Sequence, residues 1–391
     1  MKGNGVPVCS IRYCHREPAS WFLAGFALLE QEGVLRIDGV ERYDSFLKDD
    51  LYAHNSIIEV RMHDKLIVFD YETGMQSQLR LEHFDEQLQN VSEYFKTNFR
   101  PDDFCMLANR DKLHPFVPGA FFATVPGNPY DRVRLRDFPM TGQGMRDYLY
   151  YVKHRAEHVR EMDYRNMLFD EHFSSYRILF WARLFGGRPS TAEEIRQTYP
   201  FLTTEQAEKV AQRNFRMLQE CDAERIETCA TLKKEFGDRF IGGLRDDAYA
   251  RRVCPSLIAQ DDCVRSRGAY HATMRSNVIG IATRGHHECV EAKFGEMLAA
   301  GRAIISPPVT CVMPGGFSEG KNYAGFTDMD TLCTEVERLL RDTQAVNAME
   351  EENARFFREY MAPRECVLEA LQTVFPNDSR IQSAKRKAVN K

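Results

Sequence analysis

The chain has 391 residues, of which 43% are hydrophobic and 28% charged, a composition typical of a globular protein with two or three domains. Its 57 acidic and 52 basic residues give a net charge of −5, which argues against a dominant role in nucleic-acid binding. No apolar run reaches the length of a membrane helix or resembles a secretory signal, so we expect a cytoplasmic protein. The 11 cysteines are scattered and odd in number, which predicts reduced thiols.

Strand and helix patterns alternate along the first half of the chain. The run WFLAGFALLEQEG predicts an amphipathic helix that ends at Gly33. The run SIIEVRMHDKLIVFDYETG predicts two strands joined by a turn at His63 and Asp64. The region KLHPFVPGAFFATVPGNPYD, rich in proline and glycine, predicts no regular element. We also expect strands at VPVCSIRYC, VLRID and FCMLAN, and helices at SEYFKTNF and from about Gly144 to Met162.

The pattern restarts with the strand YRILFWARLFGG, which runs into a glycine loop. A charged helix from about Thr204 to Phe236 follows, then the strand DRFIGGL and a strand, loop, helix and strand that end in AIIS. This alternation predicts parallel α/β sheets with helices on both faces. We therefore expect an α/β protein with two Rossmann-like domains facing a cleft. The expected boundaries are 1–173 for an N-terminal domain, 174–362 for a second domain, and 363–391 for a C-terminal helix and basic tail.

The loop TRGHHECV follows the predicted strand NVIGIA at its carboxyl end, where open α/β sheets bind their ligands. Apolar packing does not explain Glu288 in this loop or Glu296 in the next helix, which seven residues separate. The two carboxylates could accept from the hydroxyls of a sugar and of a ribose. The helix N-terminus and Lys293 could hold a diphosphate between them. The alternative is a set of solvated loop charges.

The residues from Glu288 to Glu296, followed by MLAAG and the strand RAIIS, resemble the E-x7-E motif of group 1 glycosyltransferases with the GT-B fold. The segment ILFWARLFGG resembles the first strand and glycine loop of the donor domain in that family. The resemblance implies that Glu288 contacts the donor sugar, that Glu296 binds the ribose, and that transfer retains the anomeric configuration. The chain has Cys-Val-Glu where the family usually has GFG, and it lacks the second basic residue for the phosphates. The candidates for donor binding are Glu296, Lys293, Arg183, Arg188, Gly285, His286, His287 and Arg16.

The first strand of the N-terminal domain ends in CHREP, a loop that would face the donor in a GT-B enzyme. His15 and Glu17 are therefore candidates for orienting an acceptor hydroxyl, and Arg16 for touching phosphate. A solvated loop before a helix is the alternative. Asp70 and Glu72, at the end of another strand, are weaker candidates of the same kind.

No pattern in the sequence calls for a metal or a cofactor. The D-x-D at Asp328 and Asp330 is better explained as the cap and first-turn acid of a helix. Cys9, Cys14 and His15 are better assigned to a buried strand and its loop than to a metal site. The tail SAKRKAVNK carries four bases without an apolar anchor, which predicts disorder or a weak contact with an anionic membrane.

These patterns lead to two hypotheses of different classes. The first is a metal-independent glycosyltransferase of polysaccharide biosynthesis, which moves a sugar from a nucleotide-diphospho-sugar to a hydroxyl of a carbohydrate or glycosylated acceptor. The second is a non-catalytic or regulatory sugar-nucleotide-binding protein on the same scaffold. A dinucleotide oxidoreductase is disfavoured, because no GxGxxG joins a predicted strand to a helix.

Overall fold

The computed structural model describes residues 5–14, 16–46, 52, 54–72, 81–117, 123–125, 128, 140–169, 171–261 and 267–389. Strands and helices alternate along these ranges, and the strands form two sheets. The first sheet and its helices comprise β1 (Val8–Tyr13), α1 (Arg16–Gln31), β2 (Arg36–Arg42), β3 (Ile57–Met62), β4 (Lys65–Asp70), α2 (Leu81–Asn90), β5 (Glu93–Thr97), β6 (Leu113–Phe116) and α3 (Gly142–Met162).

The first sheet has the strand order β2-β1-β3-β4-β5-β6. Only β3 runs antiparallel to its neighbours in this sheet, and the other strands are parallel to one another. The turn from β3 to β4 passes through His63, which has a φ of 56°. The predicted pair of strands around His63 and Asp64 is therefore confirmed.

The second sheet is wholly parallel and has the order β11-β10-β9-β7-β8. The chain leaves β7 towards β8 on one side and returns to β9 on the other, so the order reverses beside β7. Such a switch point opens a crevice at the carboxyl ends of the strands. The elements of this part are β7 (Arg177–Ala182), α4 (Ala192–Thr198), α5 (Thr204–Phe236), β8 (Phe240–Leu244), α6 (Ala248–Val253), α7 (Arg267–Met274), β9 (Val278–Ile281), α8 (Ala292–Ala299), β10 (Ile304–Ser306), β11 (Ala324–Gly325), α9 (Met329–Arg341) and α10 (Thr343–Phe356).

Successive strand residues point to opposite sides of a sheet, and in the central strands of both sheets residues on both sides are buried. In β7, Ile178 and Phe180 enter one hydrophobic core, whereas Leu179 between them enters another. The core that contains Leu179 also contains Ile58 of β3 and Leu298 of α8. One continuous apolar core therefore joins the two sheets. The α/β class with two sheets is confirmed, and no helix within the described ranges has the length and apolar character of a membrane span.

The chain ends with helices that pack back against the first sheet's side of the molecule. A π-helical turn (Phe357–Met361) leads into α11 (Pro363–Val374), and α12 follows (Ser379–Val389). A Cβ on Gly25 of α1 would lie 2.2 Å from the carbonyl oxygen of Pro363, so only glycine lets the helices approach this closely. The predicted disorder of the tail is wrong as far as Val389, because Ile381 and Ala384 are buried and anchor α12.

Three further local predictions fail. The segment SEYFKTNF, expected to be a helix, contains the strand β5, whose Tyr94 and Phe95 are buried on opposite faces. The segment FCMLAN, expected to be a strand, lies at the end of a short 3-10 helix (Pro101–Phe104) and in turns. The strand β6 lies inside the region expected to be irregular, because its backbone pairs with β5 despite Pro115.

Candidate functional site

Loops at the carboxyl ends of the two sheets meet in a cleft. Asn98, which follows β5, accepts a hydrogen bond through Oδ1 from the backbone N–H of Val290, at 2.9 Å. Arg100 donates from Nη1 to Oε2 of Glu288, also at 2.9 Å. These contacts join the loop after β5 to the loop after β9, at the carboxyl ends of strands from both sheets.

A small cavity of about 40 Å³ opens at this place, beside the ends of β7, β9 and β10. It therefore lies at the switch point of the second sheet, where parallel α/β folds bind their ligands. Polar and charged groups in its wall come from the strand ends, the loop after β9 and the first turn of α8. They include Thr283, Arg284, Glu288, Glu291, Lys293 and Ser306.

The loop after β9 has an unusual backbone path. His287 and Glu288 have φ values of 61° and 56°, in the left-handed region that non-glycine residues seldom adopt. Gly285 is packed so tightly that a Cβ would lie 2.6 Å from Sγ of Cys289. This path turns His287 into the protein and leaves the Glu288 side chain about half exposed, opposite Arg100.

The two histidines of this loop have imidazole nitrogens without partners. Their rings are 4.0 Å apart, and neither Nε2 atom has a hydrogen-bond partner in the part of the chain that the structure describes, although both atoms are buried. Burial, followed by the charges of His286, Arg213 and Arg100, lowers the pKa of His287 to about 3. Burial also lowers the pKa of His286. At neutral pH both rings are uncharged, so each can donate one hydrogen bond and accept one.

Lys293 is the cation in the first turn of α8. Its ammonium donates to the carbonyl oxygen of Trp181 and lies 4.8 Å from the centre of the Trp181 ring. Burial lowers the pKa of Lys293 to about 8, against the opposing effect of Glu291 and with help from Arg225 and Arg183. The side chain reaches the cavity wall, beside the N-terminus of α8. An anion bound there would favour the charged form of the ammonium and raise its pKa.

Glu296 is buried and already paired. Its Oε1 atom lies 3.2 Å from Nη2 of Arg267 and 3.7 Å from Nε2 of His271, both on α7. Glu296 is not in the cavity wall, whereas Glu288 is. Of the two motif glutamates, Glu288 therefore faces the cavity, whereas Glu296 faces α7. Since both contacts go to Oε1, Oε2 is the oxygen that could receive a ligand hydroxyl.

The remaining candidates have diverse positions. Arg183 follows β7 and is exposed, near enough to Lys293 to oppose its protonation. Arg188 is bound to Glu194 at the start of α4 and does not reach the cavity wall. His15 lies outside the described residues. Arg16 and Glu17 begin α1, but their side chains lie outside the described part.

Sequence reasoning missed two side chains of α5 that organise the site. Asp222 accepts from the backbone N–H groups of Phe185 and Gly186, at 2.7 and 2.9 Å, so the glycine loop after β7 binds a carboxylate of the protein itself. Arg225 is buried, forms an ion pair with Glu291 and donates to the Arg183 carbonyl at 2.6 Å. In the sequence both residues are indistinguishable from a solvated charged helix face.

The N-terminal side of the cleft holds a buried charge network. Asp70 at the end of β4 accepts from Tyr94 at 2.8 Å and from Lys96 at 3.2 Å, and its Oδ2 lies 3.3 Å from Nε2 of His54. Burial by itself would raise the pKa of Asp70, but Lys96 and His54 outweigh it and hold the pKa below its usual range. Lys96 also donates to the backbone carbonyl oxygen of Glu72. The carboxylate of Glu72 opposes the lowering of the pKa of His286 on the other side of the cleft. The network thus fixes the strand end that faces the second sheet.

The D-x-D segment caps a helix. The Asp328 side chain accepts from the backbone N–H of Thr331 at 2.8 Å, and Asp330 lies in the first turn of α9. The predicted role of Asp328 as a cap is confirmed.

Comparisons with known proteins find no matching family model and no matching curated protein. Among solved structures, the sucrose-phosphate synthase of Thermosynechococcus elongatus is similar with 12% identity and a TM-score of 0.39, over 95% of this chain and 73% of that one. Anabaena HepE in complex with UDP-glucose is similar with 10% identity and a TM-score of 0.35, over 90% and 88% of the two chains. HepE with UDP and glucose gives 11% identity and a TM-score of 0.33, over 89% and 88%. At such identities and scores, these similarities establish neither a family nor a function for this chain.

Proposed function

We propose that the chain is a glycosyltransferase that moves a sugar from a nucleotide-diphospho-sugar to a hydroxyl of a carbohydrate acceptor. The observation that carries the proposal is the pair of uncharged, unpartnered imidazole nitrogens of His286 and His287, buried in the same loop as Glu288, which lines the cavity together with Lys293. Buried polar atoms normally have partners, so these nitrogens support a polar ligand at this loop. The lysine and the N-terminus of α8 indicate that the same ligand carries an anion.

The donor would lie along the loop after β9 and the start of α8. Its diphosphate would lie over the N-terminus of α8, where the helix dipole, Lys293 and Arg183 favour negative charge. Its sugar would take hydrogen bonds from His286 and His287, next to Glu288. Its ribose would donate to Oε2 of Glu296.

The chemistry would follow from this placement. Glycosyl transfer passes through an oxocarbenium-like transition state, which a nearby carboxylate stabilises. Glu288, half exposed in the cavity wall, would be this carboxylate, since Glu291 in the same wall is paired with Arg225. Fixed cations and the helix dipole would stabilise the departing diphosphate without a metal. Retention is proposed from the resemblance to group 1 glycosyltransferases.

The two sides of the cleft would bind different substrates. Residues 1–173 would bind the acceptor, with His15 and Glu17 near its hydroxyl and Arg16 near phosphate. Residues 174–362 would bind the donor, and residues 363–391 would brace the first part through α11. The ion pair between Arg364 and Glu32, with contacts of 2.8 Å, supports that bracing role.

A second function, a non-catalytic sugar-nucleotide-binding protein, is favoured by two specific observations. The amides of the glycine loop are occupied by Asp222, and Glu291, where the family has glycine, is bound to Arg225. In each case a carboxylate of the protein occupies backbone amides or a cation that could otherwise bind a diphosphate. Binding of a sugar nucleotide without any release of nucleoside diphosphate would support this second function.

A thermal-shift screen against UDP-, GDP-, CMP- and dTDP-sugars tests whether a donor binds. A ligand at about 100 times its Kd stabilises the folded state by about 2.7 kcal/mol, which raises Tm measurably. We expect one base to give such a shift, which Lys293→Met should reduce and the exposed control Lys209→Gln should leave intact. No shift with any sugar nucleotide would contradict both functions.

A further inference from the structure

Helix α3 has few buried side chains for a helix of 21 residues. Gly144 is its only buried residue among those whose side chains the structure describes. The helix nevertheless begins properly, since Thr141 accepts from the N–H of Gly144 at 3.1 Å. Helices of globular proteins usually bury an apolar stripe against a core. In α3 the half-buried side contains Tyr148, Tyr151, Val159 and Met162, and a second apolar row remains exposed.

The exposed surface of α3 contains an apolar stripe. Met145, Leu149 and Val152 are 41%, 58% and 50% exposed, and Ala156 continues their row. At 100° per residue these four side chains fall within an arc of about 60°. The stripe therefore forms one continuous face that points to solvent.

A row of cations runs beside this stripe. Arg146, Lys153 and Arg160 recur every seven residues, are all exposed, and lie about 50° to 90° from the stripe's centre line on one side. No ion pair joins any of the three to another described residue. The acids Asp147, Glu157 and Glu161 lie beyond the cations, away from the stripe. The face that combines apolar groups and cations is thus separated from the negative charges of the helix.

We propose that this face of α3 docks onto an anionic lipid bilayer. An amphipathic helix lying in the plane of a membrane buries its apolar stripe at the acyl boundary, while flanking lysines and arginines contact anionic headgroups. The stripe and the cation row of α3 have this arrangement, and both are exposed in the folded chain. Docking would bring the acceptor side of the molecule to the membrane surface.

A second copy of the chain fits this face less well. If two α3 helices paired through their stripes, the positions flanking the seam would be Arg146, Lys153, Arg155 and Arg160 on each copy. Cations would then face cations in either helix orientation, which opposes pairing. An anionic surface complements the same charges.

Vesicle sedimentation of the full chain tests the proposal. The probe is phosphatidylcholine vesicles with and without about 30% phosphatidylserine, at low and at high salt. We expect binding only with phosphatidylserine, weakened by salt. Removing each cation should reduce the partition coefficient about fivefold, so Arg146→Gln/Lys153→Gln/Arg160→Gln should abolish measurable binding. Leu149→Gln/Val152→Gln should reduce binding about tenfold or more.

Matched variants keep the proposal falsifiable. Lys209→Gln/Lys234→Gln/Arg341→Gln removes three exposed helical cations elsewhere and should retain binding, as should Val253→Gln. Circular dichroism should be unchanged throughout, because all of these positions are exposed. Equal binding by the α3 variants and wild type would overturn the proposal, as would binding lost only when Lys385, Arg386 and Lys387 of the tail become glutamine. Dimerisation that Leu149→Gln/Val152→Gln abolishes would also overturn it, in favour of a second copy.

Discussion

Glu288 and Arg100 form an ion pair at 2.9 Å although 188 positions separate them in the sequence. Arg100 lies three residues after β5 and Glu288 seven residues after β9, so the pair marks where loops at the carboxyl ends of the two sheets meet. Glu288 reaches this place because its left-handed backbone turns it away from His287. The same carboxylate is in the cavity wall. Its position allows two roles, closing the cleft or contacting a sugar.

Replacing Glu288 with glutamine separates these two roles. The amide keeps the size of the side chain but removes the charge that would face a cationic transition state. We predict that affinity for the free nucleoside diphosphate changes little while turnover falls about 100-fold, or about 3 kcal/mol. Calorimetry on the nucleotide and initial rates on the full donor measure the two quantities. An equal fall in Arg100→Gln would instead assign the effect to the ion pair.

Glu296 should matter for the nucleotide. Glu296→Ala removes the carboxylate that would accept from the ribose, and we expect nucleotide affinity to fall by about 1.5–3 kcal/mol. Isothermal calorimetry with the nucleoside diphosphate measures this change, with the exposed Glu227→Ala as control. Unchanged affinity in a folded Glu296→Ala protein would limit Glu296 to its pairing with Arg267 and His271.

Lys293 should make donor binding depend on pH. Its pKa of about 8 in the empty site means that the ammonium is charged below that pH and loses its proton above it. A bound diphosphate favours the charged form, so affinity should be constant at lower pH and fall up to about tenfold per unit as pH rises above about 8. Measuring donor affinity at pH values from about 6 to 10 brackets the pKa of Lys293 and tests this dependence. Lys293→Met should bind more weakly and show no such dependence; an identical pH profile in this variant would exclude the lysine.

Asp70 should contribute to the free energy of unfolding. Asp70→Asn leaves Lys96 buried without its anion, which costs about 3–5 kcal/mol when one partner of a buried pair is removed. Urea denaturation measures this loss, with Asp64→Asn in the exposed β3–β4 turn as control. Because the folded pKa of Asp70 lies below its unfolded value, its contribution is complete above about pH 4 and lost as pH falls further. A loss of less than about 1 kcal/mol would contradict this role.

Local patterns were sufficient for much of the fold. The helix expected from Thr204 to Phe236 has these limits in the structure, because Thr203 and Gln206 form a capping box and Gly237 ends it with a φ of 47°. The buried strand β7 was equally clear from its apolar residues. Signals of this kind lie within a few residues of the element they define.

Local patterns failed where a distant partner decides the structure. The helix expected at SEYFKTNF is the strand β5, which buries Lys96, and Asp70, 26 positions away, makes burial of this lysine possible. Asp222 lies 37 positions from Phe185, whose amide it binds, and Arg225 lies 66 positions from Glu291. The motif glutamates could be found from their spacing. The pairing of Glu296 with α7 could not, because it depends on how two helices pack.

The most direct test of the proposed glycosyl transfer is the rate at which the chain releases nucleoside diphosphate from the sugar nucleotide that stabilises it. The rate should be measured with a panel of carbohydrate acceptors, in EDTA, for wild type and Glu288→Gln in parallel. We predict release by the wild type without added metal, increased by one of the acceptors, and reduced about 100-fold in Glu288→Gln. A sugar nucleotide that binds but is never cleaved, with or without acceptor and with or without added manganese or magnesium, would contradict transfer and leave a binding protein.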